Sequence, residues 1–236
     1  MRYRGRARRV SGAAGRLRVL ANPGVAVSIA RFHLRPLRRL AQAAGGAGLV
    51  LDATEVAPCG STVHVRPPRL TDAPAWRRAR LRNREAIEPF WVSTGRGWGS
   101  QHTDRAWTGH WLTARWGARL GTLLSVVIEV DGRFAGQCEL RVEEHDRRGE
   151  AGIWMDAGLA EPGTALVAGR LVLAYAFGPL GLVRVAAPVS VENERAGRFA
   201  ARLGLVREGT MAGYLTVGGQ RRDHDLWAVT VDNWRP

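Results

Sequence analysis

The chain has 236 residues, a length typical of one domain plus an appendage. Its hydrophobic fraction of 45% and its nine tryptophans are enough for a sizeable core. No window approaches the roughly 20 consecutive apolar residues of a membrane helix, so no membrane association is expected. The two cysteines, Cys59 and Cys138, indicate neither a disulfide framework nor a zinc site and favour a reducing, cytoplasmic location.

The charge is unevenly distributed along the chain. All 35 cationic residues are arginine, and the formal net charge is +14. The first 51 residues contain eleven of the arginines and no Asp or Glu. The rest of the chain holds 24 arginines against 21 acids and is therefore nearly neutral. The high isoelectric point thus says little about what the folded part binds.

Residues 1–60 are predicted to form an arginine-rich extension that is disordered or partly helical, followed by a folded domain over residues 61–236. Between Ser28 and Ala43 a loose helical face is interrupted at Pro36. One interpretation is a basic arm that contacts RNA or the ribosome. The other is a solvated tail or a start codon placed too far upstream.

The first elements of the predicted domain are a strand and two helices. The strand is expected over Thr62–Val65, and the first helix runs from a cap at Thr71 to about Asn83. Thr103 opens the second helix, after a Gly-rich, substrate-facing loop over Ser93–Gly99. The second helix carries an aromatic core stripe at helical spacing, formed by Trp107, Trp111 and Ala114.

Two alternating runs on either side of Asp131-Gly132 predict a β-hairpin from about Leu123 to Val142. A strand over Glu150–Asp156 leads into a helix from Gly163 to Phe177 that is apolar on nearly every side and must be buried. Further elements follow in the order strand, helix, strand, strand, over 183–191, 193–203, 205–215 and 224–231. This order predicts a mixed α/β fold with helices on both faces of the sheet.

Four separated segments resemble the GNAT superfamily and, within it, the RimJ/RimL-type ribosomal-protein N-acetyltransferases. They are residues 65–91 (VRPPRLTDAPAWRRARLRNREAIEPFW), the strand EAGIW at 150–154, residues 189–215 and Arg222-Asp223-His224. The similarity extends over roughly residues 62–234. It implies the GNAT fold, a twisted and mostly antiparallel sheet of about seven strands that is flanked by helices and splayed at its two parallel strands.

The resemblance implies acetyl-CoA as co-substrate, with no metal, and an acceptor amine at a protein N-terminus, in particular that of a ribosomal protein. A small amine as acceptor and a binding module that has lost CoA turnover are the alternatives, because fold does not fix substrate. The protein is expected to be a monomer or a homodimer. The six histidines show no metal-ligand spacing.

The resemblance also implies which residues bind the cofactor. The acyl arm is expected along Trp154, Met155 and Asp156, the pyrophosphate at the helix start formed by Gly163, Thr164 and Ala165, and the pantetheine beside Asn193. The chain departs from the family pattern at three nearby positions. Glu161 and Pro162 replace residues of the phosphate loop, and Ala196 replaces a serine that is proposed to protonate the leaving thiolate.

Glu150 matches the position of the general base in the histone-acetylating branch. A carboxylate that is half-buried in a cleft can act as a base. The alternative is an exposed strand-start glutamate that pairs with Arg147 or Arg148.

Overall fold

The computed structural model describes residues 48–235. The predicted arm and its helical face therefore lie largely outside the described residues. Eight strands form one sheet in the order β1-β2-β3-β4-β5-β6-β8-β7. Their bounds are β1 Ala53–Val56, β2 Thr62–Arg66, β3 Leu123–Val130, β4 Arg133–Glu143, β5 Arg148–Met155, β6 Arg184–Ser190, β7 Val206–Val217 and β8 Gln220–Thr230. All neighbouring strands are antiparallel except the pair β5–β6.

The helices pack on the two faces of this sheet. Their bounds are α1 Ala73–Arg82, α2 Arg84–Ile87, α3 Trp98–Gln101, α4 Asp104–Arg119, α5 Thr164–Phe177 and α6 Glu194–Arg202, with 3₁₀ turns at Leu70–Asp72 and Glu88–Phe90. Helix α1 lies against β4 and α4 against β3, whereas α5 lies against β1, β2, β5 and β6. None of the helices among the described residues is long and apolar enough to cross a membrane.

The α5 side of the sheet is aliphatic. Helix α5 is apolar nearly all round, as predicted, and it buries Val167, Val172 and Leu173 against this face. The alternation of β3 supplies three of the opposing side chains, Leu124, Val126 and Ile128. We call this the aliphatic face.

The opposite side, beneath α1 and α4, is aromatic. Trp76, Trp107 and Phe134 form its centre, and Trp107 is completely buried. A bulge lies in the β3–β4 ladder, where Ala135 is skipped between Phe134 and Gly136. Because a bulge reverses the side-chain alternation, Phe134 and Gln137 share this face although their spacing is odd. We call it the aromatic face.

Two local predictions differ from the structure. Strand β1, which makes the sheet eight-stranded, pairs with β2 within the range assigned to the extension. Helix α1 begins at Ala73, because Thr71 lies within the preceding 3₁₀ turn over Leu70–Asp72. Asp72 is therefore the N-cap residue by position, but its carboxylate accepts no hydrogen bond from α1; it accepts one from the Arg69 N–H at 2.7 Å and forms an ion pair with Arg66. Leu51 and Ala57, on either side of β1, are buried in the core.

Candidate functional site

The parallel strands β5 and β6 separate part of the way along their length. Their ladder ends at Glu150↔Ala186, but β5 continues to Met155 and β6 to Ser190. Within the described residues, no strand pairs with this outer stretch of β5 on the β6 side. The sheet therefore opens at its centre, and the backbone donors and acceptors of β5 that point into the opening are available to a ligand.

A buried carboxylate fixes the end of β5. Asp156 accepts hydrogen bonds from Asn83 Nδ2 at 2.9 Å and from the Gly158 N–H at 3.1 Å, and it forms an ion pair with Arg82. Burial alone would raise the pKa of Asp156, but these hydrogen bonds and the charge of Arg82 hold it below its usual value. The carboxylate therefore stays ionised and fastens the loop after β5 to the end of α1. Its side chain is thus engaged within the protein.

The loop then turns into the N-terminus of α5. Gly163 has a φ of +89°, and a side chain there would come within 3.0 Å of Pro58 Cδ, so glycine is required on both counts. The Thr164 N–H and hydroxyl both donate to the Glu161 carbonyl, at 3.1 and 2.8 Å. The N–H groups of Ala165 and Leu166 find no acceptor among the described residues. Together with the positive end of the helix dipole, these donors form an anion site.

Two of the residues singled out from the sequence belong to this turn, and a third caps α6. Glu161 and Pro162 are exposed, which leaves the carboxylate beside the α5 donors. Asn193 caps α6, because its Oδ1 accepts from the Ala196 N–H at 3.1 Å. The described residues give its Nδ2 no acceptor.

Glu150 stands where the two parallel strands begin to separate. Its side chain is 43% exposed and faces Arg141 at 3.6 Å, not Arg147 or Arg148. Those two arginines are engaged elsewhere, with the Gly181 carbonyl and with Asp146. Glu150 therefore has access to the opening and carries one solvent-screened ion pair.

The sequence did not reveal a polar network on the aromatic face behind this strand. The Gln137 Oε1 accepts from the indole N–H of Trp76 at 2.8 Å and from that of Trp154 at 3.3 Å. The Gln137 amide donates to His110 Nε2 at 2.9 Å. Burial lowers the pKa of His110, an effect that the nearby Glu139 opposes. The neutral ring and the amide thus hold Trp154 in a fixed orientation.

The segment after α2 crosses from the aromatic face to the β7–β8 hairpin. Val92 pairs with Val217, the Ser93 N–H donates to the Thr216 carbonyl at 2.9 Å, and the Ser93 hydroxyl accepts from the Gly219 N–H at 2.8 Å. Because that hairpin extends past the end of β6, the segment spans the wide end of the opening. The predicted Gly-rich loop is shorter than expected, since Trp98 is buried and starts α3.

A mostly antiparallel sheet that opens at one parallel pair, with a helix N-terminus above the opening, defines the GNAT class of fold. The GNAT acetyltransferase domain matches residues 62–206, more than half of the chain. The chain belongs to this family. Within residues 48–235 no group of three or more His, Cys, Asp or Glu side chains could hold a metal ion.

The curated relatives that the chain matches are named as ribosomal N-acetyltransferases. The chain is 43% identical over 53 residues to the ribosomal protein uS5-alanine N-acetyltransferase of Escherichia coli, covering 22% of this chain and 27% of that protein. It is 30% identical over 105 residues to YdaF of Bacillus subtilis, covering 44% and 57%. The curated relatives are therefore matched over about half of their length or less.

A solved structure provides the broader match. The RimJ protein of Mycobacterium smegmatis, in complex with CoA-disulfide, superposes with a TM-score of 0.73 at 33% identity. The alignment covers 77% of this chain and 87% of that one.

Proposed function

We propose that the protein is an acetyl-CoA-dependent N-acetyltransferase that acts in the cytoplasm on an N-terminal amine, in particular that of a ribosomal protein. The observation that carries the proposal is the open edge of β5 leading to unpaired N–H donors at the start of α5. A CoA molecule needs both features, a polar strand edge for its pantetheine and an anion site for its pyrophosphate. The likeness to a RimJ that binds a CoA derivative supports this assignment.

In this proposal each cofactor residue has a defined part. The backbone of Trp154 and Met155 would pair with the pantetheine amides as an added strand does. The N–H groups from Thr164 onward, Ala165 foremost, would bind the pyrophosphate above the turn at Gly163. The amide of Asn193, whose oxygen already caps α6, would donate through its nitrogen. Asp156 would act through the loop that it fastens. Bound acetyl-CoA supplies the activated acyl group.

Glu150 is the proposed base. Its side chain is 43% exposed and its carboxylate lies 3.6 Å from Arg141, so the carboxylate is accessible to take a proton from an incoming ammonium directly or through water. Glu150→Gln should lower kcat more than acetyl-CoA affinity and should flatten the rise of kcat with pH. The exposed Glu143, on β4, is the matched control when it is changed to Gln. Equal kcat in the Glu150 variant and the wild type between pH 6 and 9, about a base's working range, would assign Glu150 to structure alone.

The cofactor is tested by thermal unfolding with acetyl-CoA. A ligand that binds only the native state raises Tm by mass action, so millimolar acetyl-CoA should raise the Tm of the wild-type chain. Glu161→Gly should enlarge this shift, because it removes a carboxylate beside the phosphates. Glu161→Gln separates the charge from the backbone effect of glycine and should give most of the gain. No shift in any of the three proteins would contradict the proposal.

The arginine-rich extension is proposed to contact RNA or the ribosome. Such contact depends on counterion release, so affinity should fall steeply with salt. The deletion that tests it should end at residue 47, because the N–H groups of Leu49 and Val50 donate to the Ala118 carbonyl and the Tyr175 hydroxyl, at 3.0 Å each. Identical RNA titration curves for full-length and truncated chains would remove this function from the extension. The division of the chain near residue 60 stays a prediction.

A further inference from the structure

An arginine is buried on the aromatic face beside the proposed cofactor strand. Arg80, on α1, is completely buried. Its guanidinium carbon lies 3.7 Å from the ring centre of Trp91, 4.8 Å from that of Trp98 and 4.9 Å from that of Trp154. Three indoles thus enclose one cation, and the third belongs to β5.

The cation has no anionic partner among the described residues. Its Nε donates to His102 Nε2 at 3.0 Å, and His102 Nδ1 donates to the Trp98 carbonyl at 2.7 Å, a pattern that assigns a neutral ring. Neither Nη1 nor Nη2 of Arg80 has an acceptor, although both are buried. Burial lowers the pKa of Arg80 to about 9. Aromatic faces attract a cation, but they leave its N–H donors unsatisfied.

The position of this cation relates it to the opening. On β5 the side chains of Glu150 and Trp154 lie on the same face, four residues and thus roughly 13 Å apart. Trp91, 39% exposed, covers Arg80 and belongs to the segment that spans the wide end of the opening. An acceptor that brings its amine towards Glu150 would therefore pass beneath this segment and beside Arg80.

We propose that Arg80 binds a carboxylate of the acceptor, on a side chain one or two residues from the amine, when Trp91 moves aside. The inference rests on the proposed acetyltransferase function. The two free Nη donors form a planar fork that matches a carboxylate in a bidentate pair. The Arg80 guanidinium is already removed from water before the acceptor binds. A carboxylate that pairs with it therefore satisfies its N–H donors in a surrounding of low dielectric constant, where such a pair is stronger than in water. The acceptor is thus an acidic peptide or an amine with a nearby carboxylate.

The test uses full-length protein and synthetic peptides that begin with Ala. One peptide has Asp at its second position, one has Asn and one has phosphoserine, and a second series places these residues third. With acetyl-CoA present, an Asp peptide should exceed its Asn twin in kcat/KM by about 10- to 100-fold, the range for hydrogen bonds to charged groups. Without acetyl-CoA, tryptophan fluorescence should report tighter binding of that Asp peptide, because Trp91 changes its stacking.

Arg80→Met should abolish this preference, whereas Arg78→Met, an exposed arginine on the same helix, should retain it. Should Arg80→Met fail to fold, Arg80→Lys keeps the charge without the fork and should reduce the preference at least several-fold. Equal kcat/KM and equal binding for Asp and Asn peptides in both series would overturn the inference about Arg80. If those peptides are nevertheless acetylated, the proposed acetyltransferase function still stands. Tighter binding of phosphoserine than of Asp would overturn the carboxylate assignment. If no peptide is acetylated, the fluorescence titrations alone decide.

Discussion

The two faces of the sheet are built from different kinds of contact. The aliphatic face packs Leu, Val, Ile and Ala side chains of the strands against α5, and few of its buried side chains make hydrogen bonds. The aromatic face packs indoles, and a hydrogen bond fixes each of three buried tryptophans. Trp76 donates to Gln137, Trp98 to the Arg80 carbonyl and Trp107 to the Arg69 carbonyl. Apolar packing on the aliphatic face depends on the volume of the side chains, whereas the hydrogen bonds on the aromatic face depend on the direction in which each indole N–H points.

Because the contacts differ, the two faces should contribute differently to the protein: the aliphatic face mainly to stability, and the aromatic face mainly to the geometry of the site. Apolar packing stabilises in proportion to buried area and tolerates exchanges that conserve volume. Directional bonds to buried polar groups hold a side chain in one orientation, and they cost free energy when one partner is lost. The aromatic face, which holds Trp154 and the Arg80 cage, should therefore respond to changes of chemical type, and the aliphatic face to changes of size.

The largest effect is expected from Leu140→Ala on the aliphatic face. Leu140 is completely buried and fills the space above Gly149, where an added Cβ would lie 2.6 Å from Leu140 Cδ1. Truncation leaves a void that the glycine cannot fill, so the free energy of unfolding should fall by about 3–5 kcal/mol. Urea denaturation measures this change. Leu112→Ala, at a site 56% exposed, should cost less than about 0.5 kcal/mol.

Peptide and acetyl-CoA affinities of the Leu140 variant, measured well below its Tm, should match those of the wild type. A loss of binding without a loss of stability would mean that the aliphatic face also sets the geometry of the site.

A smaller effect is expected from Gln137→Leu on the aromatic face. The replacement has a similar size but leaves the indole N–H groups of Trp76 and Trp154 without an acceptor, so stability should fall by roughly 2–3 kcal/mol. Acceptor affinity should fall as well, because Trp154 is no longer fixed. Cys138→Val, at the next residue on the opposite face, changes chemical type at similar volume and should cost about 1 kcal/mol or less. Equal losses in the two variants would remove the distinction between the faces.

Much of the fold could be predicted because hydrophobic pattern and turn chemistry agree. The β3–β4 hairpin follows from alternation around Asp131-Gly132, and both residues have positive φ, 49° and 73°. Strand β1 escaped prediction, since Thr54, Glu55 and Val56 are all exposed and show no alternation. It is a strand because its backbone pairs with β2, which the local sequence does not encode.

The candidate site, like the fold, has parts that the local sequence predicts and parts that it does not. The helix start at Gly163 and the cap at Asn193 are local features, and both positions could be read from the chain. Arg80 lies in a run of arginines, and composition alone does not distinguish it from the exposed Arg78 and Arg82. Its spacing of four residues from Trp76 is the one signal that places it on the buried face. The tryptophans that enclose it come from distant parts of the chain, so only tertiary structure shows the cage.

The smallest effect is a pH dependence specific to the aromatic face. Burial lowers the pKa of His102 from its ordinary 6.5 to about 4; the Trp98 carbonyl opposes this shift, and the charge of Arg80 adds to it. Between these two pH values the unfolded chain binds a proton at His102 that the folded chain does not, so the contribution of His102 to stability should fall as pH drops from 6.5 to 4 and should not change with pH above 6.5. The full shift corresponds to at most about 3 kcal/mol, and water entry on protonation should reduce the loss to about 1–2 kcal/mol.

His102→Gln can donate to the Trp98 carbonyl and accept from Arg80 without titrating, so the stability of this variant should depend less on pH in this window. Asp156 and His110 titrate in both proteins, and the difference between the two urea-denaturation series therefore isolates His102. Parallel pH profiles of the wild type and the His102 variant would mean that His102 is protonated as readily in the folded chain as in the unfolded chain. The Arg80 guanidinium would then face a second cation in this pH window instead of a neutral acceptor.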